Sequence, residues 1–334
     1  MSADAARAAA CLAAGWGLVP RSLRCVARTD CEVWRFVPQG DTRELSLRIY
    51  AEQRQDAEPI DAEMHWLRAL ALQGLHVPAP LARPGGGWRA VCAPAEGRPA
   101  RHAVLLHWLG GRQLFAGLRP LHLRRVGVLT AHLHASAARL QRSGQLQCER
   151  DAGCPDLDGW AEGRRPCPAW ASPGLRAWVP RIARHFLERQ RHWPRDEAHR
   201  GWIHGDLHPW NLLFQGDHAG AIDFSDGGRG WLAQDLAATL QFLRHPLPGF
   251  HDHRPQYPAL RDALFEGYAS VRALPATLCA QAEEMLLLRQ LHTLQWICDD
   301  WQGPDERPWG RGFVDSLPTL LQAFLERPTT PMNA

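Results

Sequence analysis

The chain has 334 residues, enough for two lobes that each bury a core. Its 45% hydrophobic and 22% charged residues are those of an ordinary globular protein. A formal net charge of +3 gives no argument for a nucleic-acid surface, and no run approaches the roughly 18 apolar residues that span a bilayer, so neither nucleic acid nor membrane is expected as a partner.

The alanine-rich stretch from Ala5 to Gly17 has a short apolar run, Asp4 where a basic start would be needed, and Trp16-Gly17 at a poor cleavage position. It reads as a helix on the first lobe rather than a signal peptide. Residues 22 to 50 are strand-rich. Val33 to Val37 and Glu44 to Tyr50 flank a turn at Gln39-Gly40-Asp41, a hairpin pattern whose second strand alternates. Residues 59 to 73 form a helix, with Pro59 in its first turn and Met64, Leu67, Leu70 and Ala71 at helical spacing. Trp88 to Cys92 and Ala103 to Leu109 are strands around a turn at Gly85-Gly86-Gly87. The first lobe therefore reads β-β-α-β-β behind a leading helix and covers residues 1–109.

Gly110-Gly111 marks a boundary, after which the pattern is mostly helical. Helices are expected at Leu121 to Arg142, 176 to 193, 259 to 272, 276 to 298 and 313 to 326. Residues 145 to 175 are rich in Pro, Gly and Cys and read as a long loop on the substrate side. The second lobe covers 110–327, and 328–334 form a disordered tail. The fold class is α+β.

Nine cysteines without a CxxC pair give no zinc pattern, so reduced structural thiols in a cytoplasmic protein are expected. The chain contains no lysine: all 38 basic residues are arginine. A step that uses lysine elsewhere must use arginine here.

Chemistry concentrates in His204-Gly205-Asp206-Leu207-His208-Pro209-Trp210-Asn211, followed by Ile222-Asp223-Phe224. Phosphoryl transfer to a hydroxyl needs an aspartate at the acceptor, two oxygen ligands for magnesium and a cation on the nucleotide phosphates. Asp206 and Asn211 stand five apart, and Asp223 follows twelve residues later, after two short strand-like segments. This order and spacing separates the pattern from an Asx-rich turn beside a capped strand. His204 and His208 are four apart, but Gly205 and Pro209 argue against the helix that a zinc pair would need.

These motifs resemble the aminoglycoside phosphotransferase/choline kinase-like family, relatives of the protein kinases. Leu45 to Ile49 is similar to the family's nucleotide-lobe strand, Glu63 with Trp66-Leu67 to its helix, and Leu105 to Gly111 to its interlobe hinge. Leu129 to His134 and Asp235-Leu236-Ala237 continue the likeness, which covers about residues 15 to 300. The resemblance implies a bilobal protein-kinase-like fold, a small antiparallel-sheet lobe before a larger helical one. It implies ATP (or GTP) and magnesium, with Asp206 as the hydroxyl-orienting or catalytic residue and His204 bracing its loop. It implies Asn211 and Asp223 as metal ligands, Arg48 and Glu63 as a phosphate-side pair, the hinge at His107, Trp108 and Leu109 holding the base, and Asp235 tying the loop from behind. Arg48 stands where many members carry lysine, and its fork is larger and differently aimed. The phosphate loop near Arg28 to Glu32 lacks glycine.

Gly205 replaces the arginine of H-R-D, and only eleven residues separate Asp223 from Asp235, leaving little room for a peptide-docking segment. A small hydroxylated acceptor is therefore favoured, with a protein Ser/Thr kinase and an inactive binding module as alternatives. Ser225, Asp226, Trp231, Gln234, Asp299, Asp300 and Trp301 are the candidate acceptor-pocket residues, an acidic pair beside tryptophan being suited to an amine. Oligomeric state is not legible.

Overall fold

Each residue of β3 (Leu45–Tyr50) is buried, whereas simple alternation would leave every second one wet. The strand is covered on both faces. Leu45, Leu47 and Ile49 pack with Ala8, Leu12 and Trp16 of α1 (Ala3–Trp16), while Tyr50 joins the core of α2 (Ala57–Leu72). The polar residues of β3 are thus placed in the interior. In this computed structural model the described residues are 2–28, 31–52, 56–94, 99–216 and 218–326. Thr29 and Asp30 of the expected phosphate loop and the tail 328–334 lie outside them.

Among the described residues the first lobe carries a five-stranded antiparallel sheet. It is built from β1 (Pro20–Arg28), β2 (Cys31–Pro38), β3, β4 (Arg89–Cys92) and β5 (Arg101–His107), in the order β1-β2-β3-β5-β4. β1 is a strand beyond the four read from the sequence: it is largely exposed, so no core period marks it. Ser2 caps α1 by accepting from the Ala5 amide at 3.3 Å. Cys11 on α1 and Cys92 on β4 form a disulfide with Cα atoms 5.0 Å apart, so the expectation of reduced thiols fails for this pair. Their separation of 81 residues hides the pairing from any spacing argument.

The second lobe is built on α3 (Pro120–Arg142), α5 (Pro173–His192), α6 (Leu232–Arg244), α7 (Tyr257–Ala269), α8 (Ala276–Asp300) and α9 (Gly310–Leu325), with the short α4 (Leu157–Ala161) inside the expected loop. Two small antiparallel pairs carry the motifs: β6 (Arg200–Ile203) with β9 (Gly228–Trp231), and β7 (Leu212–Gln215) with β8 (His218–Ala221). Among the described residues no helix is long and apolar enough to cross a membrane. The lobes meet where His76 bridges Gly220 and its Nε2 lies 2.9 Å from the Gly110 carbonyl.

Candidate active site

The loop that carries His204 to Asn211 leaves β6 at Ile203 and re-enters a strand at Leu212. Gly205 has φ +84°, and a Cβ there would sit 2.4 Å from the Asp226 carbonyl oxygen, so the second residue of the motif must be glycine. The loop is held from behind by one carboxylate. Asp235, fully buried on α6, accepts the His204 amide at 2.8 Å and the Gly205 amide at 2.9 Å. It also accepts His134 Nε2 at 3.0 Å, and His134 Nδ1 lies 2.9 Å from the Tyr268 hydroxyl. Burial would raise the Asp235 carboxyl, but the His134 hydrogen bond and charge outweigh it and lower it. His204 is fully buried: Nε2 donates to the Ile222 carbonyl at 3.0 Å, and Nδ1 accepts the Asp206 amide at 3.3 Å. One imidazole therefore joins this loop to the segment after β8 that delivers Asp223.

Asp206 carries donors at both carboxylate oxygens. Arg289 Nη2 from α8 reaches Oδ1 at 2.5 Å, His208 Nε2 lies 3.0 Å from Oδ2, and Asn211 Nδ2 is 3.3 Å from Oδ2. Burial pushes this carboxyl up, but His208 and Arg289 outweigh it and hold it well below the usual carboxylate range. His292, one turn beyond Arg289, is pushed down to about 4 by burial and by the Arg289 charge.

Asn211 is placed by a second bond, Nδ2 to the Asp206 carbonyl at 2.9 Å, and its own carbonyl accepts the Ile222 amide at 3.0 Å. The register of β7 on β8 thereby sets Asn211 beside Asp223. Asp223 adopts φ 63° and ψ 67°, a left-handed conformation that no other non-glycine residue adopts among those described. Such strain collects at functional positions. Its carboxylate is 45% exposed, accepts from Ser225 Oγ at 3.0 Å and lies 3.6 Å from Arg48 Nη2. A hard cation prefers oxygen donors, and Asn211 with Asp223 offers an amide oxygen and an accessible carboxylate, so these two residues fit magnesium.

On the first lobe Arg48 Nη1 donates to Glu63 Oε1 at 2.7 Å, and the Tyr50 hydroxyl donates to Oε2 at 3.0 Å. Arg48 and Glu63 are both buried. Burial works against the Arg48 charge, yet Glu63 and Asp223 raise its proton affinity above the ordinary guanidinium value. Trp66 of α2 packs edge-on against Phe224 at 5.1 Å, which ties this helix to the loop that carries Asp223. A cavity of about 750 Å³ opens beside the pair and is lined by Tyr50, Glu58, Glu63, Glu149, Arg150 and Ser225, among others. In the hinge, β5 ends at His107, so Trp108 and Leu109 follow the strand instead of continuing it. The His107 amide donates to the Ala79 carbonyl and the Trp108 amide to the Glu44 carbonyl, both at 2.9 Å. Arg35 lies over the Trp108 ring, 4.6 Å from its centroid.

The acceptor-side candidates separate. Ser225 and Asp226 follow Asp223. Arg150 binds the Ser225 carbonyl at 2.7 Å and lies 3.7 Å from Asp226. Gln234 donates to the Gly153 carbonyl at 2.7 Å. Trp231 is instead buried edge-on against Trp193 at 5.2 Å, within the β6–β9 end of the lobe. Asp299 pairs with Arg165 at 2.5 Å; it and Asp300 end α8, about two turns beyond His292. Trp301 packs against Trp296 and Trp309. Sequence reasoning missed Arg289, His292, Arg150 and the role of His134. Only His134 stood inside a recognised motif.

Two lobes around Asp206, Asn211 and Asp223 define a kinase-like fold. Comparison with known proteins is specific about the group. A profile of the phosphotransferase enzyme family matches residues 32–278, and the chain belongs to that family. A homoserine kinase of Allorhizobium ampelinum is 32% identical over 243 residues, 71% of this chain and 68% of the relative. One from Sinorhizobium medicae is 30% identical over 266 residues, 78% and 74% respectively. Among solved structures, the amicoumacin kinase hAmiN in complex with AMP-PNP, Ca2+ and Ami superposes with a TM-score of 0.77 at 17% identity, covering 96% of this chain and 93% of the other. A microcompartment-associated aminopropanol kinase gives 0.75 at 21%, covering 94% and 95%. The chain is a kinase that uses an alcohol group of a small molecule as phosphate acceptor.

Proposed function

We propose that the chain transfers the γ-phosphate of ATP to the hydroxyl of a small amino alcohol, with L-homoserine the first acceptor to test. The observation that carries the reading is the Asp206 carboxylate, held ionised and aimed by Arg289, His208 and Asn211 beside the two oxygen donors Asn211 and Asp223. Asp206 accepts the acceptor's hydroxyl hydrogen and orients the oxygen toward the phosphorus. A carboxylate with such low proton affinity is suited to late proton transfer, which agrees with a loose phosphoryl transition state. Asn211 and Asp223 would hold magnesium, which neutralises charge on the phosphates when bound. Arg48, fixed by Glu63, supplies the cation on the phosphate side. The relatives of about 30% identity bear the name homoserine kinase, which supports the acceptor class. The neighbouring Arg150 and Asp226 are opposite charges of the kind that a zwitterionic amino alcohol can meet.

The test is MgATP turnover with L-homoserine, 1-amino-2-propanol and an aminoglycoside as acceptors. Homoserine should give the highest kcat/KM. Asp206→Ala should lower kcat by about 10³-fold or more while leaving nucleotide binding nearly intact. No turnover of any acceptor, or phosphorylation only of protein, would defeat the reading.

A further inference from the structure

We propose that Arg289 is a positioning residue for the transfer: its guanidinium ties the Asp206 carboxylate to the Gly205 carbonyl and so sets the direction from which Asp206 receives the acceptor hydroxyl. This rests on the kinase reading of the site. The side chain is 4% exposed and reaches the loop from the middle of α8, 83 residues along the chain from Asp206. Three of its nitrogens are used. Nη2 donates to Asp206 Oδ1 at 2.5 Å, Nη1 to the Gly205 carbonyl at 3.2 Å, and Nε to Gln241 Oε1 at 3.3 Å. Gln241 in turn donates through Nε2 to the Arg289 carbonyl at 3.1 Å and to Thr293 Oγ1 at 2.9 Å. The arginine is therefore locked between α6 and α8 before it touches the loop.

An ionised carboxylate offers about four lone-pair positions. Arg289, His208 and Asn211 take three, and the fourth is left for the hydroxyl that will be phosphorylated. Removing the donor on Oδ1 leaves the carboxylate held through Oδ2 alone, so its other oxygen can swing and the unoccupied position no longer points one way. The planar fork is needed because its two terminal nitrogens serve two different groups, a carboxylate and a backbone carbonyl. An ammonium could satisfy one of them but lacks the span to fix their relative orientation. Arg289 acts on Asp206, which in turn meets the acceptor, so loss should appear in the transfer step rather than in nucleotide affinity.

Arg289→Gln and Arg289→Lys test this in steady-state kinetics with MgATP and L-homoserine. The expected result is a fall in kcat of about 10²-fold for glutamine and about tenfold for lysine, with the KM for MgATP changed by less than about twofold. A support role confined to folding would lower the melting temperature and disturb both KM values together. Lysine keeps the charge in the core and provides a folded variant where glutamine does not. A folded variant with kcat within about threefold of the parent overturns the proposal. Absence of parent turnover with every acceptor refutes the kinase reading instead. The crystal structure of Arg289→Gln then decides the positioning claim alone. The Asp206 carboxylate should leave its present place by more than about 0.5 Å, and an unmoved carboxylate overturns it.

Discussion

Glu63→Gln isolates the charge of the buried pair on the first lobe. Glutamine keeps the volume, and its amide oxygen can still accept from Arg48 while its NH2 meets the Tyr50 oxygen, so packing and hydrogen bonds survive. What disappears is the anion 2.7 Å from the guanidinium of an arginine that is 6% exposed. Breaking a buried pair from one side costs about 3–5 kcal/mol. Here Asp223, 3.6 Å from the other terminal nitrogen, takes up part of the charge, so a loss of about 2–3 kcal/mol is expected. At about 2–4 °C per kcal/mol for domains of this size, the melting temperature should fall by roughly 5–10 °C. Arg48 should also turn toward Asp223 and compete with magnesium there. The variant therefore needs more magnesium for half-maximal turnover. Calorimetry and a magnesium titration at saturating ATP read both effects. A melting temperature within about 1 °C of the parent, with an unchanged magnesium requirement, would refute the claim that this pair organises the metal side.

Two further outcomes follow from packing and protonation. At the crossing of α3 and α7, a Cβ on Gly267 would sit 1.9 Å from the Arg124 carbonyl oxygen and one on Gly127 2.0 Å from that of Leu264, so Gly267→Ala should cost about 3 kcal/mol in urea unfolding; less than about 1 kcal/mol would mean the helices part freely. Burial and Arg289 lower the His292 imidazole to about 4, with Asp206 and Asp226 opposing and His208 assisting. The native state then binds fewer protons than the unfolded chain, so this contribution is full above about pH 6.5 and is lost as pH falls toward 4. His292→Gln should soften the parent's acid loss by about 2 kcal/mol, and parallel stability–pH curves would refute it.

The site was legible in sequence where its chemistry is local. His204 to Asp223 covers loop, hairpin and the turn at Asp223 in one stretch, so spacing alone carries the geometry. Burial hid other parts. Leu232 to Leu243 is buried at nearly every position, so α6 presents no polar stripe to alternate against, and β9, reading Gly-Arg-Gly-Trp, lacks a period as well. Trp231 stood among the acceptor-pocket candidates. The antiparallel register of β9 on β6 carries it away, opposite Arg200. Arg289 had no local signal, since a helix passing behind a loop announces nothing about which of its residues will touch it.

The absence of lysine acquires a structural meaning at this point. A lysine brings one compact charge to one place. Arg48 and Arg289, two of the buried arginines, each bring a fork, and each fork holds more than one group. Arg48 spans from Glu63 on α2 to Asp223 on the metal loop, and Arg289 spans from the Gly205 carbonyl to the Asp206 carboxylate with Gln241 behind it. The Asp223 and Asp206 carboxylates are thereby each met by a guanidinium anchored in a helix or strand core. Phosphoryl transfer depends on placing charge before the reaction rather than moving it during the reaction. A lysine-free chain meets that demand by using each cation as a brace as well as a charge, which is why conservative replacement by lysine should cost activity at both positions.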